Sequence, residues 1–260
     1  HYTKEYMAAL LTSVLDNSDK VAGYIGECRD CGIALLPPDI NESNDNFTVV
    51  PGGIRFGLAA IKNIGRGFIQ KVMADRAQDG PYTGLENFCQ RMYGTDLNKR
   101  ALENLIKAGA CAGFGLNRAQ MLRIYELVLD AAASQKNKNV DGQMGLFDLL
   151  PGEDSAAAMP AVQAPDIPEM SVQEKMSLEK QTTGLYLSGH PLDAYQGLAS
   201  RLKVDRAAEL TAEDSPYADR QRVRLLGRAA GKKLTATKTG KTMCFLTFED
   251  RSGTVEVLIF

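Results

Sequence analysis

Between Gly57 and Arg76 the chain reads Gly-Leu-Ala-Ala-Ile-Lys-Asn-Ile-Gly-Arg-Gly-Phe-Ile-Gln-Lys-Val-Met-Ala-Asp-Arg, and few folds accommodate that order. Leu58 and Ile61 precede a glycine-rich break, and Phe68, Ile69, Val72 and Met73 recur at i, i+1, i+4 and i+5, the apolar stripe of a helix. The spacing predicts two short helices folded back on each other, a helix-hairpin-helix. Gly65 and Gly67 tolerate φ > 0 and carry no Cβ, so the main-chain N–H groups that open the second helix are accessible to a phosphate. Lys62 and Arg66 flank that anion site, with Asn63 and Ile64 between them. Taken alone, the same letters also suit a surface helical turn with ordinary glycine punctuation, so the surrounding chain has to decide.

Whole-chain charge says little about partners here. The net charge is −2 over 260 residues, which excludes a uniformly basic coat, but charge is unevenly placed. Residues 55–130 hold eleven Lys/Arg against seven Asp/Glu, residues 222–260 hold eight against three, and the chain between them is acidic. Two mildly basic modules joined by an acidic tether suit sequence-independent phosphate contact, although such surpluses also occur on inert surfaces. The five cysteines, an odd number, argue against a disulfide framework and for a reduced, cytoplasmic setting. Cys28-x-x-Cys31 lacks a second pair of ligands, and the two histidines, His1 and His190, are far apart, so no metal site is expected. Nor does any apolar run approach a membrane span. The chain starts at His1 rather than Met and ends in a strand pattern at Phe260, as an excised segment would.

Around the hairpin the pattern divides into modules. Tyr6, Met7, Leu10, Leu11, Val14 and Leu15 mark one amphipathic helix; Val21, Tyr24, Ile25 and Cys28 mark another, with Asn17 or Ser18 as its cap and Gly32 as its stop. Leu36-Pro-Pro-Asp-Ile40 enforces extended chain. Phe47–Val50 and Ile54–Phe56 read as a β-hairpin turning at Pro51-Gly52-Gly53. After Arg76 a loop leads to Leu85, Phe88 and Cys89. A helix then starts near Asp96 and stops at Gly109, and another follows Asn117. Helix, glycine turn and helix repeat here as a degenerate second copy, in which Lys99, Arg100, Lys107 and Arg118 are candidate phosphate contacts; a plain helical bundle with solvated charges has the same letters.

From Ser134 the periodicity collapses, and residues 151–168 are rich in Pro, Ala, Glu and Asp, the composition of a flexible tether. Within it Gln143-Met-Gly-Leu-Phe147 is an isolated apolar cluster, suited to dock in a partner's hydrophobic pocket or to pack back on its own domain. Ser171-Val-Gln-Glu174 is a capping box that reopens helix toward Gly184. His190, in Gly184-Leu-Tyr-Leu-Ser-Gly-His-Pro-Leu-Asp193, has no Ser-plus-acid arrangement beside it and reads as structural. Val223–Thr235, Thr242–Phe248 and Thr254–Phe260 read as three strands of a small five-stranded barrel lacking its last two.

Five stretches together resemble one family: Tyr6-Met-Ala-Ala-Leu-Leu with Asp19-Lys-Val21, Leu36-Pro-Pro-Asp-Ile-Asn41, Gly57-Leu-Ala-Ala-Ile-Lys-Asn-Ile-Gly65, Leu97-Asn-Lys-Arg-Ala-Leu-Glu103, and Gly184-Leu-Tyr-Leu-Ser-Gly-His-Pro-Leu192. They are similar to the bacterial replicative polymerases of the C family, the DNA polymerase III alpha subunits, over essentially the whole chain. The resemblance implies a multidomain, mainly α chain with a tandem helix-hairpin-helix and a partial antiparallel β OB-type barrel. Residues 1–46 would end a fingers domain and 47–134 would form the tandem DNA-binding domain with its β-hairpin entry. Residues 135–170 would be the linker, 171–221 connecting helices and 222–260 half of the OB domain. It further implies that Lys62, Asn63, Ile64, Gly65, Arg66, Gly67, Lys99, Arg100 and Arg118 face the primer-template duplex. Gln143, Met144, Leu146 and Phe147 would bind the sliding clamp, the barrel would face single-stranded template, and other replicase subunits would be further partners. The family's catalytic carboxylates and their Mg2+ belong to a palm domain upstream, so this stretch is expected to need no cofactor and to catalyse nothing itself. A DNA repair protein or DNA ligase region, where the same modules co-occur, and a scaffold that binds no nucleic acid are the competing readings.

Overall fold

The computed structural model describes every residue except 1, 16, 141–161, 213, 237–239 and 241. Helices α1 (Thr3–Ser13) and α2 (Ser18–Asp30) open the chain. The Asn17 side chain accepts the Lys20 N–H, so the expected cap forms, and the chain leaves α2 through Gly32 at φ 70°. The two prolines then hold the chain extended, and Leu35–Leu36 becomes a strand in its own right, β1. It pairs in parallel with β3 (Gly53–Arg55), which pairs antiparallel with β2 (Thr48–Val50), in the order β1-β3-β2. The predicted hairpin is therefore two strands of a three-stranded sheet. Gly53 sits where β1 crosses: a Cβ there would lie 2.1 Å from the Ala34 carbonyl oxygen.

Beyond the sheet a single turn of 3-10 helix, Leu58–Ala60, stands where a short α-helix was expected, followed by α3 (Arg66–Asp79). Leu85, Phe88 and Cys89, to which a loop was expected to lead and which had no element assigned, form helix α4 (Leu85–Met92), which buries all three with Met92. Helices α5 (Lys99–Ala108) and α6 (Arg118–Val140) follow, and α4 and α5 both pack on α6. Helix α6 runs past the expected end of order at Ser134. Met7, Leu11, Ile40, Phe56, Leu58, Ile61, Phe88, Leu102, Leu105 and Val128 belong to one continuous core, which extends to Leu185. Burying a Leu, Ile or Phe of this kind contributes about 1.5–3 kcal/mol each, which is what holds the hairpins in place.

Residues 162–170 do not behave as free tether. Val162 and Ala164 pack against the core, Gln120 donates to the Pro165 carbonyl, and Asn117 donates to that of Ile167. The capping box at Ser171 and Glu174 forms with both of its bonds and opens α7 (Val172–Thr183), which ends at Gly184 in the left-handed region. Helices α8 (Gln196–Leu202) and α9 (Ala207–Thr211) lead to an antiparallel sheet of β4 (Arg228–Ala236), β5 (Thr242–Glu249) and β6 (Thr254–Ile259). The sheet is open, as half of a barrel would be. It is fixed to the helical body through Glu249, 5 % exposed overall, whose carboxylate takes a salt bridge from Lys180 at 2.7 Å and a hydrogen bond from the Tyr186 hydroxyl at 3.1 Å. No described helix is long and apolar enough to cross a membrane.

Candidate nucleic-acid interface

At the first hairpin, Ile61 and Ile64 are buried, and Lys62, Asn63, Gly65, Arg66 and Gly67 face solvent. The turn reverses at Asn63, which has φ 63°; Gly65 has φ −76° and Gly67 lies in the first turn of α3. The left-handed residue is thus the asparagine, a type that tolerates it, and not a glycine as the sequence suggested. What the glycines contribute is space: a Cβ built at either meets nothing within 4 Å. As N-cap, Gly65 offers no side-chain acceptor, and the first turn of α3 holds no acid. The first intrahelical bond is Ile69 N–H to Gly65 O, so the Arg66, Gly67 and Phe68 N–H groups point out of the helix end, with its positive dipole behind them.

The hairpin is braced from behind. Lys62 N–H donates to the Thr182 carbonyl at 2.8 Å, its ammonium reaches the Gln181 carbonyl at 3.2 Å, and Asn104 donates to the Lys62 carbonyl at 2.7 Å. A carbonyl orients the ammonium without neutralising it. Arg66 and Arg100 are exposed and form no hydrogen bond or ion pair among the described residues, and Arg100 lies one turn before Asn104 on α5.

The second hairpin is built differently. At the start of α6 the Glu169 carboxylate accepts the Arg118 and Ala119 N–H groups at 3.2 and 3.4 Å, and Met170 N–H at 2.8 Å. Partial burial raises the Glu169 pKa, but these three N–H donors outweigh it and hold the group below its ordinary value. Where the first copy leaves its amides open, the second has filled them with a carboxylate of its own chain. The candidate contacts there are engaged as well. The Arg118 guanidinium turns inward, 11 % exposed, to Glu179 at 3.2 Å, whose carboxylate also takes the Leu187 and Ser188 N–H groups. Lys99 is shared between Glu126 and Asp130 at 3.3 and 3.0 Å, and Lys107 pairs with Glu103. The structure therefore groups Lys62, Asn63, Gly65, Arg66 and Gly67 at one open helix end with Arg100 on the neighbouring helix, places Ile64 in the core, and commits Lys99, Lys107 and Arg118 to acids.

Glu169, Glu179 and Asn104 are the residues that sequence reasoning missed here. Each acts on a partner more than forty positions away. Gln143, Met144, Leu146 and Phe147 lie outside the described residues. Among the described residues no group of three His, Cys, Asp or Glu is placed to hold a metal ion.

A family model described as a helix-hairpin-helix motif matches residues 32–121, a range that covers both hairpins. Along its full length the chain is 39 % identical to DNA polymerase III subunit alpha of Neisseria meningitidis serogroup B, and 36 % identical to the subunits of that name from Saccharopolyspora erythraea and Thermus aquaticus. It covers 100 % of itself in each case and 21, 22 and 20 % of those proteins, so it spans about a fifth of the length of the relatives it matches. A match that is end to end on this side and repeats at similar identity across such distant bacteria leaves one assignment: over its whole length the chain belongs to the DNA polymerase III subunit alpha family, as one segment of that protein.

Proposed function

We propose that this segment is a DNA-gripping and clamp-tethering part of a bacterial replicative polymerase, working in the cytoplasm and leaving nucleotidyl transfer, with its Mg2+, to other parts of the protein. The observation that carries the reading is the open end of α3: three outward N–H groups, no cap, no acid in the first turn, and Lys62 and Arg66 beside them. Such an end takes a phosphate of duplex DNA without reading the bases, the way a polymerase must hold product of any sequence. Gln143, Met144, Leu146 and Phe147 serve as the clamp-binding peptide on the tether, and the open sheet of β4 to β6 approaches single-stranded template. Other replicase subunits complete the assembly.

Replacing Lys62 and Arg66 by Glu turns attraction into repulsion beside the amide site. The double variant should bind duplex at least about tenfold more weakly at low salt, equally for unrelated sequences, and with a shallower dependence of affinity on salt, each lost phosphate contact removing roughly 0.9 from the log–log slope. Fluorescence anisotropy with two unrelated duplexes reads both quantities. Unchanged affinity at low salt would remove the hairpin from the interface.

A further inference from the structure

The loop that joins α7 to α8 borders a cavity of about 360 Å³, lined on its other sides by Arg29 of α2, the chain at Ile33 to Leu35, and Arg251 in the turn between β5 and β6. That is the size of a small-ligand site. Several of its hydrogen-bond donors are unspent. His190 is 9 % exposed, and its Nδ1 accepts the Leu192 N–H at 3.2 Å, so the neutral ring carries its proton on Nε2. That N–H has no partner among the described residues, and neither has the Arg29 guanidinium or the Gly189 N–H. Gly189 is at φ 152°, a conformation that favours glycine. Polar groups in a nearly buried ring are ordinarily satisfied, so a free donor there marks a place for an acceptor from elsewhere.

The charged side chains around this cavity are Arg29, Arg251 and Asp193. Asp193 is already engaged: its Oδ1 pairs with Arg251 at 3.2 Å and its Oδ2 accepts the His190 N–H at 2.8 Å. Glu27 and Asp30, the acids nearest Arg29 on α2, line the adjoining cavity instead, with Asp205, Arg206 and Asp250. Glu249, the other acid near the ring, is shared by Lys180, Arg228 and the Tyr186 hydroxyl. Burial holds the His190 pKa below its ordinary value, and Arg251 and Arg29 push the same way against Asp193 and Glu249.

We propose that this cavity binds a phosphate group, held by the Arg29 and Arg251 guanidinia and by the N–H groups of His190 and Gly189. A cation would meet two guanidinia, and a neutral ligand would leave their charge uncompensated. Donors brought together from α2, the loop and the sheet suit the several oxygens of a phosphate better than the two of a flat carboxylate, and arginine forks match that group. The phosphate comes either from a nucleic-acid backbone or from a free ion, since both present the same oxygens. None of these residues belongs to the amide site at α3, so the proposal does not rest on that reading.

The test titrates the 260-residue chain with inorganic phosphate, pyrophosphate or a short thymidine oligonucleotide, against sodium chloride at matched ionic strength, and follows imidazole resonances by NMR. His1, the other histidine, is the internal control. The His190 resonances should shift and its pKa should rise, because a bound anion favours the imidazolium, while His1 stays unmoved. A response to the free ions makes one of them the occupant, and a response to the oligonucleotide alone makes it the backbone; both support the site. Arg29→Gln gives up no hydrogen bond or ion pair among the described residues, so it should weaken binding about tenfold or more with melting unchanged. Arg251→Gln should weaken it as well, and Lys62→Glu with Arg66→Glu should not. No His190 response beyond that to chloride, or an undiminished response in Arg29→Gln, would overturn the proposal.

Discussion

Gly57, Gly65 and Gly67 lie within eleven positions of one another and do opposite things. A Cβ at Gly57 would lie 2.5 Å from the Asp45 carbonyl oxygen and from the carbonyl carbon of Asn46, backbone that cannot retreat. Gly57→Ala should therefore cost about 1–3 kcal/mol by overpacking. Gly67 is helical and faces open space, so Gly67→Ala should gain about 0.5–1 kcal/mol of stability while its methyl group crowds the amide site and weakens duplex binding. A melting curve paired with a binding isotherm checks this, and a variant that is both more stable and equally tight would separate Gly67 from the phosphate contact. Of the hairpin, the sequence disclosed the apolar stripe and the glycine spacing. It misplaced the left-handed residue because glycine is the stronger prior, although Asn63, the residue that adopts it, belongs to the next most permissive type.

Among the elements, the two hairpins are alike in pattern and unlike in use. Their spacing of apolar residues was legible, as was the capping box of α7, whereas the helix expected to start near Asp96 starts at Lys99 with Asn98 as its cap. Helix α4 was not read as a helix: Leu85, Phe88, Cys89 and Met92 fall at i, i+3, i+4 and i+7, but so short a run after the Gly80-Pro81 loop is hard to tell from the loop itself. What a local pattern does not carry is that Glu169, across a long excursion of the chain, closes the second helix end. Glu169→Gln keeps one acceptor and loses the charge, so it should destabilise the fold by about 1 kcal/mol near neutral pH. Because the folded state lowers this pKa, the stabilisation is present above the ordinary value of 4.5 and is lost as pH falls through the lower folded value. Denaturant midpoints of wild type and variant should converge on acidification. A constant difference down to strongly acidic pH would mean that the carboxylate is not the group responsible. Duplex affinity should be unaffected by the substitution.

Across the whole molecule the core runs from α1 to Leu185 without a break, and the β4–β6 sheet hangs on α7 and Tyr186 by Glu249, while Asp250 holds the first N–H of α9 at Ala207. The hairpin and the sheet are thus mechanically linked through the last turn of α7, which receives Lys62 from one side and gives Lys180 to the other. Composition and strand pattern pointed to a helical stretch followed by a late β sheet, which is the order of elements found, but the contacts that join them come from residues such as Glu179 and Glu249 that look like ordinary surface acids in the sequence. If the tether and the grip are separate devices, Leu146→Ala with Phe147→Ala should abolish binding to the sliding clamp and leave duplex affinity as it was. Calorimetry against the clamp decides, and equal clamp affinity in the double variant would remove the peptide from that role. The central claim, that main-chain amides at one hairpin and not the other hold the duplex, is tested most directly by titrating the labelled chain with duplex DNA at low salt and following backbone amide resonances. The account predicts large shifts at Arg66, Gly67 and Phe68 with Arg118 and Ala119 unmoved; shifts at Arg118 and Ala119 with the first hairpin silent would contradict it.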